Sequence, residues 1–164
     1  MRFLKDLLFT EKFFIKGHVN TGDRRLSTFL NNTRKCFLEM EEATLIKHDD
    51  GSRITASWMQ VQVNDILFAH ELEVTGDEGL KHLAERERDD IEATGYFSGS
   101  ASLQLSGKVR KRALDSDARR DHDFIVVVEP RIEWGAVTLG REYAVLENLP
   151  YAIVNKNRLA LILR

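Results

Sequence analysis

The chain has a single cysteine, Cys36, in 164 residues. A lone thiol forms no intramolecular disulfide and supports no cysteine-cluster zinc site, which fits a reducing compartment. There is no apolar run of about 18 residues, the length a helix needs to cross a bilayer. Neither sign of charge dominates: 24 Lys and Arg stand against 26 Asp and Glu, for a net charge of -2. That balance lacks the overall basic excess of a dedicated nucleic-acid binder.

Chemistry-bearing motifs are equally scarce. The histidines are His18, His48, His70, His82 and His122. No two are separated by three residues, and no His-Glu-x-x-His occurs. His122, within Arg120-Asp121-His122-Asp123, reads as part of a hydrophilic turn, because a metal site there needs further ligands from elsewhere. Phe97-Ser98-Gly99-Ser100 lacks the glycine spacing of a nucleophile elbow. Cys36 opens an apolar strand and reads as a small buried hydrophobe. Glu41 and Glu42 point to opposite faces of a strand, and Asp49-Asp50 belongs to a turn. Asp89-Asp90 closes a charged segment. The sequence assigns no catalytic residue, no metal ligand and no cofactor.

Hydrophobic patterning is what the chain does have. Phe3, Leu4, Leu7 and Leu8 recur at helical spacing, which predicts a short amphipathic helix over residues 2–9, capping an open end of the fold. Lys5 and Asp6 interrupt that run and no small-residue cleavage site follows. The segment is therefore expected to be mature protein rather than a signal peptide, and the protein cytoplasmic. Phe13 to Val19 predicts a strand. Asn20-Thr21-Gly22-Asp23 is turn chemistry, and Leu26, Phe29 and Leu30 predict one to two helical turns capped by Asp23 and ended at Asn32. Cys36 to Ile46 alternates with a change of parity, which predicts a strand bulged near Glu41-Glu42. His48-Asp49-Asp50-Gly51-Ser52 predicts a hairpin turn. Ile54 to Val63 and Ile66 to Val74 are then two strands paired on each other.

Thr75 with Glu78 fits a capping box, and Leu80, Leu83, Ala84 and Ile91 make a narrow apolar stripe. These predict a helix over 77–93. Residues 76–95 hold 3 basic and 7 acidic side chains, net -4, so the helix is acidic. Tyr96 to Leu105 restarts the β pattern, with Phe97-Ser98-Gly99 echoing Ile15-Lys16-Gly17. Ser106 to Asp123 reads as a polar loop. Asp123 to Glu129 is an apolar, β-branched strand matching Phe37-Leu38 in position. Tyr143 to Leu146 predicts another strand, and Pro150 breaks the chain before the last segment.

One segment occurs twice. With Asn64 set over Asn155, Val63 falls over Val154, Phe68 over Leu159, Ala69 over Ala160 and Leu72 over Leu163. Both copies read as strand, tight turn, strand, with Asn present because it tolerates left-handed backbone. The expected fold is mainly β with a few short helices: two pseudo-repeated small β-barrel-like units joined by an acidic helix. Residues 1–75 form the first unit, 76–95 the linker and 96–164 the second unit. A unit of this size has a marginal core alone, so packing of the units or oligomerisation is expected. Leu159 to Leu163, apolar on both faces, is expected to be buried between the two units or in an oligomer interface.

One local basic cluster stands out: Lys108, Arg110, Lys111 and Arg112, followed by Arg119 and Arg120. Residues 96–164 carry 11 basic and 8 acidic side chains, net +3. A phosphate backbone is attracted to such a patch, with salt-sensitive binding. Asp115, Asp117, Asp121 and Asp123 are interleaved and dilute the field, so a solvated loop is the competing reading.

Two resemblances bear on these expectations. Arg25-Leu26-Ser27-x-Phe29-Leu30-Asn31, followed by Phe37-Leu38-x-Met40-x-x-Ala43 and closed by Val63-Asn64 with Ile66 to Ala69, resembles an uncharacterised bacterial family of small β domains. That family carries an Arg-Leu-Ser-x-x-Leu-Asn signature between two strands. The resemblance spans residues 13–72 and implies no known activity. The second half has Arg112-Ala113-Leu114-Asp115 in place of the signature. A helix at the start, a glycine in a bent first strand and a final Val-Asn strand-turn-strand are also similar to Sm-like small barrels. Those are oligomerising scaffolds that often bind RNA.

Two functions from different classes follow. The first is a non-catalytic regulatory or assembly module working through self-association or a protein partner, with no membrane. The second is a nucleic-acid binder of Sm-like type using Lys108, Arg110, Lys111, Arg112, Arg119 and Arg120. An enzyme is the third choice, and it would need a pocket gathering histidines with a carboxylate.

Overall fold

The computed structural model describes residues 6–22, 24–71, 90–99, 102–115, 123–134 and 141–164. The chain is mainly β and divides into two compact units, Met1–Val74 and Thr75–Arg164. In the first unit the strands are β1 (Asp6–Thr10), β2 (Phe13–Val19), β3 (Phe37–Lys47), β4 (Arg53–Gln62) and β5 (Ile66–Glu71), with helix α1 (Leu26–Asn32) between β2 and β3. Their order is β5-β1-β2-β3-β4, and every neighbouring pair is antiparallel. In the second unit the strands are β6 (Asp90–Phe97), β7 (Leu103–Arg110), β8 (Phe124–Trp134), β9 (Tyr151–Asn155) and β10 (Leu159–Leu163). Their order is β10-β6-β7-β8-β9, again antiparallel throughout. In both units the fifth strand lies beside the first.

Residues 6–9 correct a helical expectation, and residues 1–5 lie outside the described residues. Asp6–Thr10 is strand, with all five residues buried. A short continuous apolar run has no periodicity of its own, and neighbours decide what it becomes. Here β2 and β5 bond to it from both sides. Phe9 stacks on Phe68 and on His48, at ring-centroid distances of 4.7 and 4.6 Å. Burying side chains of this size contributes about 1.5–3 kcal/mol each.

Helix α1 is two turns held by Leu26 and Leu30, which are buried four residues apart. Asp23 lies outside the described residues. The residue at the N-terminal boundary is Arg25, whose side chain makes no cap bond, and extended Thr33 ends the helix. Strand β3 carries the expected irregularity: Glu42 has φ +50° and lies where the β2–β3 register shifts. The turn after β3 is closed by Gly51 at φ +70°, whose N–H donates to the Lys47 carbonyl at 2.9 Å.

The doubled segment is built differently from a hairpin. After β4 and after β9 the chain makes a 3-10 turn, Val63–Asp65 and Lys156–Arg158. It then crosses to the first strand of its own unit, so β5 pairs with β1 and β10 with β6. The buried run Ile66 to His70 finds partners on β1 that the mostly exposed β4 does not offer. The two turns set Asn64 against Asn157, which displaces the sequence alignment by two residues. Asn155 is extended, at φ -79°, and its Oδ1 accepts the Asn157 N–H at 3.1 Å. Its task is to hold the turn, and left-handed backbone plays no part.

Three further expectations change in the second unit. Residues 90–93, expected as the end of a helix, belong to β6, and 72–89 lie outside the described residues. The strand β7 continues to Arg110 where a loop was expected, burying Leu103, Leu105, Gly107 and Val109 in strict alternation. Tyr143 to Leu146 lies in a 3-10 segment, Arg141–Asn148, and not in a strand. Tyr143, Leu146 and Leu149 are buried at three-residue intervals, the period of a 3-10 helix. Pro130 follows Glu129, which has φ +49°, at the β8 bulge, where a missing N–H disturbs no regular ladder.

Candidate interaction surfaces and a buried carboxylate

The basic cluster lies partly on a strand. Lys108 and Arg110 alternate on the exposed side of β7, and Lys111 and Arg112 are exposed in the 3-10 turn Lys111–Leu114. The register sets Lys108 opposite Glu92 and Arg110 opposite Asp90. Lys108 also pairs with Glu129 at 3.2 Å, and Arg131 with Glu92 at 3.1 Å. Opposite charges facing each other across strands stabilise the sheet by about 0.2–1 kcal/mol a pair and cancel the field of the lysine and arginine. Lys111 and Arg112 stand beyond this compensated block. Arg119 and Arg120 lie outside the described residues, as do His82 and His122.

Apolar exposure is concentrated on two strand edges. In the second unit β10 ends the strand order, and Leu161, Ile162 and Leu163 are 51%, 38% and 55% exposed. The strand is paired with β6, and its residues from Ala160 onward are exposed. In the first unit β4 ends the order and exposes Ile54 and Trp58, with Phe37 exposed on neighbouring β3. Cys36, expected to be buried, is exposed just before β3, where its carbonyl accepts the Val63 N–H at 2.8 Å.

An apolar recess occupies the inner side of the second unit. Ala93, Leu105, Val127, Val154 and Leu159 line it, one from each of the five strands. Its free space is about 20 Å³, room for one water rather than an organic ligand. Gly107 is required there, since a Cβ would sit 2.6 Å from Val127 Cγ1 and 2.8 Å from the Val128 carbonyl oxygen.

Among the described residues the titratable group shifted furthest by its surroundings is Asp6, which the sequence shows only as a break in an apolar run. It is 5% exposed, and its Oδ2 accepts the Val19 N–H at 2.9 Å. Burial pushes its carboxyl up to about 7 against the lowering effect of that hydrogen bond, and the nearby Glu71 charge adds to the rise. Glu71 is its register partner on β5 and lies 4.0 Å from Arg25 Nε. His48, by contrast, is held below the ordinary imidazole range by burial, with Nε2 2.8 Å from the Thr10 carbonyl oxygen. Among the described residues no group of three or more His, Cys, Asp or Glu side chains converges as a metal site. No described helix is long and apolar enough to cross a membrane.

Compared with family models, with curated proteins and with solved structures, the chain matches none. The reading of its function therefore rests on its own surfaces.

Proposed function

We propose that this protein is a non-catalytic assembly module of two pseudo-repeated, barrel-like β units that associates through strand β10 with a second copy of itself. The observation that carries this is the exposure of Leu161 and Leu163, 51% and 55%, on an uncharged five-residue strand at the end of the sheet order. Such a strand offers both unpaired backbone groups and apolar side chains. Two copies of β10 run antiparallel about a two-fold axis bring leucines against leucines and no like charges. The repeated strand order of the two units supports the pseudo-repeat, and the five-strand lining of the second unit's recess supports a barrel-like curl. Light scattering coupled to size-exclusion chromatography tests the reading. A dimer that becomes a folded monomer in the Leu161→Glu, Leu163→Glu double variant supports it. A strict monomer at high concentration would sink it.

A nucleic-acid reading keeps narrower support from Lys111 and Arg112, which are exposed beyond the compensated charges of β6, β7 and β8. It requires binding to single-stranded RNA that weakens steeply with salt.

A further inference from the structure

Three backbone elements of the first unit meet at Asp6. Its Cα lies in register with Glu71 of β5 and with Gly17 of β2. Gly17 leaves no side chain between Asp6 and the end of β2, and Asp6 Oδ2 accepts the N–H of Val19, the last residue of β2. Beyond Val19 the chain turns into α1. At the boundary of α1, Arg25 lies 4.0 Å from Glu71, and both side chains are largely covered, at 20% and 16% exposure. Among the described residues the charged neighbours of Asp6 are therefore Glu71 from β5 and His18 from β2, with Arg25 reached through Glu71. Glu41 on β3 is in register with His18 and exposed.

We propose that Asp6 and Glu71 form a one-proton device that couples the seating of α1 and the β2–α1 junction to pH. With a proton on Asp6, the cluster holds one carboxylate, Glu71, against one guanidinium, Arg25. Loss of that proton places a second carboxylate charge in a covered site beside the first, where burial and the Glu71 charge oppose it more than the Val19 N–H and His18 favour it. A buried charge that its surroundings disfavour is relieved by admitting water or by moving apart. The parts free to yield are those the cluster joins: the start of β1, the end of β2 and α1. Burial already holds the Asp6 carboxyl up to about 7, so the seating of α1 weakens as pH rises through the mildly acidic range and the effect is complete near neutrality. The device goes beyond the assembly reading and does not depend on it.

Amide hydrogen exchange in α1, read by NMR on the full chain, tests the proposal. Phe29 and Thr33 are the reporters, since their N–H groups donate to the Arg25 and Phe29 carbonyls at 2.9 Å. After correction for intrinsic exchange, their protection should fall by up to tenfold per pH unit as pH rises from the ordinary carboxylate range toward the Asp6 midpoint, and level off above it, as one linked proton requires. Asp6→Asn should make the profile flat, and Arg25→Gln should separate α1 from the titration. Should Asp6→Asn fail to fold, the wild-type Asp6 Cγ resonance gives the midpoint directly, and Glu71→Gln should move that midpoint down. An Asp6 midpoint in the ordinary carboxylate range overturns the proposal. So does a midpoint unmoved by Glu71→Gln, or α1 protection that is independent of pH.

Discussion

Gly17 stands opposite the bulge made by Glu42, and each residue exists in its conformation because of the other. A Cβ on Gly17 would lie 3.0 Å from Met40 Cε and 3.1 Å from both Ala43 Cα and the Glu41 carbonyl oxygen. Glu42 takes φ +50° to bring those atoms in. The second unit has the same arrangement, with Gly107 at the register shift opposite Glu129 at φ +49°. In each unit a glycine on the second strand admits a tight bend in the third.

Gly17→Ala should therefore destabilise by about 1–3 kcal/mol, the usual cost of overpacking. Gly107→Ala should cost more, because its Cβ meets backbone oxygen at 2.8 Å and Val127 Cγ1 at 2.6 Å. Urea denaturation measures both. An unchanged midpoint for Gly107→Ala would show that β8 does not press on β7.

Glu42→Gly should act in the opposite direction. A left-handed backbone costs a non-glycine residue about 1 kcal/mol, which glycine avoids at that position. A gain of several tenths of a kcal/mol in urea is expected, partly offset by the greater freedom of the unfolded chain.

His48 sets an acid limit. Burial lowers its pKa in the folded state from 6.5, so protonation favours the unfolded chain. Stability from this group is complete above about 6.5 and is lost as pH falls below that value toward the depressed folded value. His48→Gln can still donate toward the Thr10 carbonyl but does not titrate. The difference in melting temperature between wild type and variant should shrink or reverse from neutral pH to about pH 5. A constant difference contradicts the lowered imidazole.

Cys36 should react with a thiol reagent in the native protein at the rate of an exposed thiol, with no denaturant. One label per chain is expected. Protection until unfolding would show that the start of β3 is covered.

Trp58 is 53% exposed on β4, whereas Trp134 meets Tyr143 edge-on at 5.7 Å. Acrylamide should quench mainly the Trp58 emission, and Trp58→Phe should remove most of the quenchable fraction. If β4 is covered in an assembly, quenching falls as protein concentration rises.

Reversing Lys111 and Arg112 to glutamate distinguishes the two functional readings. The assembly reading expects no change in molar mass. Any binding of single-stranded RNA should be lost with a reduced salt dependence, since those two side chains stand outside the paired charges.

The sequence by itself determined the β character, the strand Phe13–Val19, the part of β8 up to Glu129, the turn at Gly51 and the bulge at Glu42. These follow from local alternation, β-branched runs and turn residues, which act within a few positions. Only tertiary structure decided the rest. Leu7, Leu8 and Phe9 fit helix or strand equally, and pairing with β2 and β5 made them strand. The crossing of β5 and β10 to the first strand of each unit depends on partners far along the chain, which no local pattern encodes. Asp6 in isolation is an ordinary acid, and burial beside Glu71 turns it into a proton site. A charge is costly only where water has been excluded, and which residues exclude water is settled by the folded neighbours rather than by adjacent residues.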